Sequence, residues 1–579
     1  MNGKGGTPIL ASPLRSFIEN RAWSIPVGVA VLAVSSSYCI LPLLIQRSIP
    51  LGHDTGFHIF QSFQFLQGLE NGSFYPRWAA DANNGYGSPN FIFYSPLAYY
   101  LMAFIHLWEP SMIMSMVWAI WAGFFLSGLS MFFATRKMFG NPGSLLAAVV
   151  YQMLPFHLID LYHRGTFGEL LAYSWLPLFF YFLMNVRKTE DTRVNMVGLS
   201  LSYAGLILSH LATAFMFSIV AGAYLLYGLV FLEEKRALIK TGVALAVGLG
   251  ISSVYLGPAV LERKFIHMGV MSKFIYSYAG VYLFDSHAPL FEVFFRLLYL
   301  TVLVEAVFFL LIVLVSRKSS SPAGRADTNR FLVLVFVGSI LLTTPLSAPV
   351  WNRIPQFTVL QFPWRWIVVM EVSLCFLIAR TYSFENVRAY RPARFLKSFV
   401  VIFLAVFAQL PMQNIPSASI SEADFQRLNR MHKWRDIMDE KPEYMPAWAN
   451  LADIWSRKRH DRVATISGRA STRVTEWAPE SRTIEVRALS DSVLRVSTYY
   501  YPGWEVTLDG GGTPVDVDKG KGALLVRVPE GDHTIRTTFG DTRLRRMAKY
   551  TSLISLLFLI PITLFLGDSI GSRGRSPSK

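Results

Sequence analysis

Long apolar runs separated by short polar connectors fill the first 412 residues. A bilayer core takes about 20 apolar residues per crossing helix. By that measure the candidate spans are 25–46, 111–134, 143–159, 169–186, 196–212, 213–232, 238–257, 293–316, 330–346, 366–381, 396–412 and, after a long polar interval, 548–567. A further apolar run, 91–108, is ambiguous by length alone. Residues 413–460 read as a mostly helical linker. From Asp461 the apolar period shortens to two, with short strands predicted at 462–468, 472–477, 483–488, 493–500, 504–508, 523–528 and 533–539. Turn residues at 510–512 and 529–532 separate them, and the spacing predicts a β-sandwich over 461–547.

Composition removes the soluble alternatives. Hydrophobic residues make up 52% and charged residues 16%, with a mean hydropathy of +0.37, whereas soluble domains carry roughly 25% charge. The net charge is +16, from 54 basic and 38 acidic residues. Segment 413–547 holds 21 basic and 19 acidic residues, so the excess of +14 lies in the membrane part. That distribution signals topology rather than a nucleic-acid surface. If 91–108 does not cross, the clusters Arg136/Lys137, Arg187/Lys188, Lys235/Arg236, Arg317/Lys318, Arg388/Arg391/Arg394 and Arg573/Arg575 all fall on one side. The positive-inside rule then predicts twelve spans, a juxtamembrane or re-entrant helix at 91–108, and both termini cytoplasmic at an inner membrane. The N-terminal apolar run is too long for a cleaved signal peptide. Two cysteines, Cys39 and Cys375, make neither a disulfide framework nor a zinc site.

This topology puts the chemistry on the outer face. The domains expected are 1–412 in the membrane, with a first outer loop at 47–110, then the linker 413–460, the extracytoplasmic sandwich 461–547, and a final helix with a basic tail, 548–579. In the first outer loop His53 and Asp54 follow the first span closely, where an acid is solvated yet within reach of a lipid headgroup. The bland alternative for Asp54 is an N-cap on the helical run after it. Arg77, Asn83, Asn84 and Tyr86 follow, in a stretch whose aromatics and amides suit a sugar or headgroup. An interfacial aromatic belt is the competing account, and it leaves Arg77 and the paired asparagines unexplained.

The second outer loop runs Asp160-Leu161-Tyr162-His163-Arg164-Gly165 and on to Glu169. Ionisable residues at the ends of spans are costly and functional by default. Arg164 would grip a phosphate through its fork of donors, or else form a packing pair with Asp160. His210 closes a span and reads either as a site residue or as a packed polar group. Arg263 and Lys264 would attract an anionic lipid, or are a solvated charge run. Trp364 and Arg365 end a proline-rich outer loop, as phosphate contacts or as an interfacial anchor. Spans nearly free of mid-membrane charge, with Glu305 and Glu371 the exceptions, favour interfacial chemistry over transport.

Taken together, Gly52-His53-Asp54, Asn84-Gly85-Tyr86-Gly87, Asp160 to Gly165, Thr344-Pro345-Leu346-Ser347, Phe362-Pro363-Trp364-Arg365-Trp366 and Tyr500-Tyr501-Pro502-Gly503-Trp504 resemble the GT-C superfamily of polyprenyl-phosphate-sugar-dependent glycosyltransferases. Within it the sequence is similar to the YfhO-like branch and to the "6-pyruvoyl-tetrahydropterin synthase-related" membrane proteins. The resemblance implies a polytopic α-helical GT-C-like fold and an inverting sugar transfer from a polyprenyl-phosphate donor to an acceptor glycan, lipid or cell-surface polymer. It implies Asp54 as general base and Asp160 as a second acid; by chemistry alone, His53 would assist or position. Some relatives use such acids to bind a divalent cation, magnesium or manganese, and others need no cofactor. By the chemistry of their side chains rather than by a family motif, Arg164 and Arg365, with Arg263 and Lys264, would hold the donor phosphate among membrane lipids. Arg77, Asn83, Asn84, Tyr86, Glu169, His210 and Trp364 would contact substrate. Trp504 and the tyrosines at 499–501 would stack on the acceptor or fill the sandwich core. The competing functions are a flippase or transporter of a lipid-linked glycan, and a non-catalytic binding or assembly protein.

Overall fold

The computed structural model describes residues 21–187, 192–231, 235–269, 280–285, 292–316, 323–382, 418–434, 441–452 and 461–561. Among them, five helices are long and apolar enough to cross a bilayer: Met112–Phe139, Gly143–Arg164, Phe167–Asn185, Leu211–Phe231 and Val293–Leu314. Two bent pairs, Ala237–Ile251 with Ser253–Leu261 and Asn329–Thr343 with Pro345–Arg353, raise the count to seven if each is one span. The twelve spans expected from sequence are therefore not all seen as long apolar helices. The first stops at Cys39 and resumes as a short helix, Leu41–Gln46. The span expected at 366–381 is a helix of only 15 residues, Ile367–Thr381. The 78° bend near Ser252 and the 93° bend near Thr344 turn two others aside at one end. Span 396–412 and the basic tail lie outside the described residues. Helix Leu97–His106 has ten residues, about 15 Å at 1.5 Å per residue, half of a bilayer core.

The sandwich is built from nine strands, two more than expected. One sheet has the order β3 (Val463–Ser467), β6 (Ser492–Tyr499), β10 (Ala523–Val528), β9 (Asp516–Val517). The other has the order β4 (Ala470–Trp477), β5 (Ser481–Ala488), β11 (Gly531–Phe539), β7 (Trp504–Leu508), β8 (Gly511–Thr513). The additional strands, β8 and β9, are two or three residues long, too short to leave a period of their own. Burial alternates along β5 as the sequence alternates, with Ile484, Val486 and Ala488 turned inward.

Two seams join the sandwich to the helices. The loop that follows the first helix shares the sandwich core: Trp78 meets Trp504 edge to face at 5.4 Å, and Tyr86 stacks on Tyr499 at 4.9 Å. At its start, β1 (Ser48–Pro50) pairs antiparallel with β2 (Ser419–Ser421), which leads into helix Glu422–Met431. The final helix, Arg543–Leu557, lies against the first bent pair. There the Ser253 hydroxyl donates to the Ala548 carbonyl at 2.9 Å, and the Ser552 hydroxyl to that of Ile251 at 2.5 Å.

Candidate active site

The loop around His53 and Asp54 and the loop from Asp160 to Gly165 are sewn together by their backbones. The N–H of His53 donates to the His163 carbonyl at 3.0 Å, and that of Asp54 to the Arg164 carbonyl at 2.8 Å. Two glycines allow the approach. A Cβ on Gly52 would stand 2.7 Å from the His163 carbonyl oxygen, and one on Gly165, at φ +67°, would strike the Thr55 hydroxyl. Asp54 is thereby held over the turn that carries Asp160 and Arg164. That turn is π-helical, from Asp160 to Arg164, and follows a break at Pro155.

Asp54 occupies the N-cap position of helix Thr55–Glu70, but its side chain caps nothing. Its Oδ1 instead accepts from Lys441 Nζ at 2.9 Å, across 387 residues of chain. Burial acts to raise the Asp54 pKa, and Lys441, with smaller help from His58 and Arg164, overcomes it and holds the carboxyl below the usual range. Asp54 is 28% exposed and Lys441 17%, so the pair sits at an opening. One turn on, His58 is buried and bonds the Tyr99 hydroxyl through Nδ1 at 3.0 Å. Burial pushes its pKa down to about 4, leaving a neutral ring beside the carboxylate at pH 7.

Beneath Asp54 lies a closed ionic cluster. Arg164 Nη1 donates to Asp160 Oδ1 and to Glu169 Oε2, the latter at 2.8 Å. Thr166 Oγ1 adds a bond to Asp160 Oδ1 at 2.7 Å, and the Trp364 ring lies 4.7 Å from the Arg164 guanidinium carbon. His210 Nδ1 bonds Thr213 at 2.8 Å and stands 4.0 Å from Glu169. Arg365 is buried against Phe362, and its Nη1 donates to the Leu360 carbonyl at 2.9 Å. Its Nε has no hydrogen-bond partner among the described residues, nor do Asp160 Oδ2 and Glu169 Oε1. The cluster does not fit a divalent cation. The Arg164 guanidinium fills the space between its two carboxylates, and among the described residues no three acidic, histidine or cysteine side chains converge.

The structure thus brings together Asp54, Asp160, Arg164, Glu169, His210, Trp364 and Arg365. His53 is beside Asp54, and its ring meets Phe294 edge to face at 5.2 Å. Other residues go elsewhere. Arg77 is buried under the sandwich, with its N–H on Glu480 at 2.9 Å and its Nε 3.6 Å from Asp541. The Asn83 amide closes its own turn on the Gly87 carbonyl at 3.1 Å, and Asn84 adopts a positive φ of 59° in that turn. Tyr86, Tyr499, Tyr501 and Trp504 are core. In the structure these aromatics bury a seam between the first loop and the sandwich. Arg263 and Lys264 are exposed at the end of the first bent pair. Lys441 and His58 escaped the sequence reading. His58 follows Asp54 at helical spacing (i+4), a signal that was available. Lys441, in a linker remote from every motif, left none.

The family described as "6-pyruvoyl-tetrahydropterin synthase related domain; membrane protein" matches residues 91–420. The chain belongs to this family. The matched region carries Asp160, Arg164, Glu169, His210 and Arg365, while Asp54 lies before it and Lys441 and the sandwich after it. No curated protein matches the sequence. Among solved structures the chain is similar to the Archaeoglobus fulgidus oligosaccharyltransferase tethered with an acceptor peptide, at 13% identity and a TM-score of 0.42, over 74% of this chain and 61% of that one. It is also similar to ArnT from Cupriavidus metallidurans bound to undecaprenyl phosphate, at 14% identity and a TM-score of 0.40, over 72% and 74%. The chain spans about three fifths of the length of the first of these.

Proposed function

We propose that this membrane protein is an inverting glycosyltransferase working at the outer membrane surface, with a polyprenyl-phosphate sugar as donor and a glycan, lipid or cell-surface polymer as acceptor. The observation that carries the reading is the composition of one junction. An accessible carboxylate, Asp54, stands over Arg164 and near Arg365, the latter with a free buried donor. A base beside cations is what transfer from a phosphate leaving group needs. Three of the stretches that resemble polyprenyl-phosphate-sugar enzymes, Gly52-His53-Asp54, Asp160 to Gly165 and Phe362 to Trp366, meet at this junction.

In the step, Asp54 takes the proton of the acceptor hydroxyl. The acceptor oxygen attacks the anomeric carbon from the face opposite the phosphate, and the bond from that carbon to the phosphate oxygen breaks. The electron pair leaves with the polyprenyl phosphate, whose added charge Arg365 stabilises. Arg164 holds Asp160, Glu169 and the loop backbone that positions Asp54. A carboxylate base contributes about 10²–10⁴-fold. Asp54→Asn is therefore expected to lower transfer from short-chain polyprenyl-phosphate sugars by at least about 10²-fold while donor binding survives. Mass spectrometry of the released lipid phosphate measures it. Equal turnover by both proteins would remove Asp54 as the base.

Translocation of a lipid-linked glycan is the second reading. It draws on Glu305 and Glu371, both buried inside membrane helices. Movement of labelled donor across vesicles without glycosylated product would favour it.

A further inference from the structure

The proposed chemistry meets an obstacle in the structure. A carboxylate paired to an ammonium is a weak base, and Lys441 Nζ is 2.9 Å from Asp54 Oδ1. Something must take Lys441 away before Asp54 accepts a proton. The charges around the site identify what. Arg164 is already neutralised, because one of its nitrogens serves both Asp160 and Glu169. Arg365 is fixed to the Leu360 carbonyl, with Nε left over. Lys441 belongs instead to the accessible layer: its side chain is 17% exposed, against 3% for Arg164 and 0% for Asp160.

We infer that Lys441 is a ligand of the donor phosphate, parked on Asp54 until that phosphate arrives, so that donor binding itself frees the base. This deepens the glycosyltransferase reading and rests on it. Only the side chain needs to move. The backbone after Lys441 is anchored by the turn Pro442–Tyr444, whose Tyr444 carbonyl accepts from Ser88 at 3.1 Å, and by Met445, which is fully buried. A lysine suits the role. Its ammonium is a point charge with three donors on a flexible four-carbon stem, which can exchange one anionic partner for another more readily than a bidentate arginine fork. The Phe57 ring, 5.4 Å from Nζ, is a cation-π neighbour along the way.

Charge balance gives the exchange a direction through the reaction. The bound donor is a phosphodiester with one negative charge. When its bond to the sugar breaks, the leaving polyprenyl phosphate keeps the electron pair and becomes a monoester with greater charge. Lys441 therefore binds the phosphate more strongly as the reaction proceeds, while the proton from the acceptor goes to the vacated Asp54.

The test is calorimetric titration of the full-length protein in detergent with farnesyl phosphate. Lys441→Met is expected to weaken binding about tenfold, as loss of one charge-assisted contact does. Asp54→Asn is expected to tighten it several-fold, because the competitor for Lys441 is gone. A misfolded protein would not produce that gain. The gain must vanish in the Asp54→Asn/Lys441→Met double variant, and Lys441→Arg should keep most of the affinity. Saturable binding that Arg365→Gln weakens but Lys441→Met does not, or a gain from Asp54→Asn that persists in the double variant, would overturn the inference alone. Absence of saturable binding to the wild type would overturn the glycosyltransferase reading and the inference with it.

Discussion

His58 shows how one buried ring becomes a pH-sensitive element. It lies within helix Thr55–Glu70, beside Tyr94 and Tyr99, with its pKa pushed by burial to about 4 from the ordinary 6.5. The unfolded chain therefore binds more protons than the folded one between those values. The His58 contribution is fully present above about pH 6.5 and is lost as the pH falls toward 4. Replacing it by glutamine should flatten the fall of the thermal midpoint between pH 6.5 and 4, with little change at pH 8. A pH series of melting curves in detergent checks this. Unchanged slopes would show that other groups set the acid limb. Gly52 and Gly165 work at the same scale in a different way, since an added Cβ would part the two loops whose backbone bonds hold Asp54.

At the scale of elements, Glu371 ties the site's scaffold together. It accepts the Phe156 N–H at 3.1 Å and the Tyr173 hydroxyl at 3.0 Å. Phe156 precedes Asp160 by one turn, and Tyr173 follows Glu169 by one turn. Glu371 itself sits in the helix that begins just after Arg365. One carboxyl thus links the three segments that present the ionic cluster. Glu371→Ala leaves two buried donors without an acceptor, at about 1–3 kcal/mol each. The thermal midpoint should fall clearly for Glu371→Ala and less for Glu371→Gln, which keeps one amide oxygen. Equal midpoints for all three proteins would show that water or relaxation satisfies the donors.

For the whole molecule, a buried ion pair adds to the aromatic seam that holds the sandwich to the helices. Glu262, at the end of the first bent pair, receives Arg545 through Nε at 3.0 Å and Nη2 at 2.9 Å, and the Tyr501 hydroxyl at 3.0 Å. Arg545 also donates to the carbonyls of Pro502 at 2.7 Å and Gly540 at 3.1 Å. It joins the last helix, the sandwich and the membrane helices in one buried contact. Arg545→Met strands the Glu262 carboxylate, which costs about 3–5 kcal/mol for a broken buried pair. Hydrogen exchange should rise around residues 500–504 and 540–546 while strands β5, β6 and β10 stay protected. Uniform loosening of the strands as well would mean that the pair stabilises the sandwich itself.

Periodicity alone separated the apolar helices from the strands of the C-terminal region, because repeats of 3.6 and 2 are local properties that burial on one face imprints on neighbouring residues. Asp54, Asp160, Arg164, Glu169 and Arg365 stood out in the chain because costly charges beside apolar runs are conspicuous, and the fold brings them near one another. Where helices end was harder to read. The bends near Ser252 and Thr344 come from packing, which turns a helix aside without changing its hydropathy. The positions of Arg77, Tyr86 and Trp504 come from docking of the sandwich. An aromatic side chain suits a sugar face and a domain seam equally, and only the neighbour it meets distinguishes the two. Lys441 is the extreme case. Nothing near it in the chain marks it, and its meaning comes entirely from a fold that sets it 2.9 Å from a carboxylate 387 residues away.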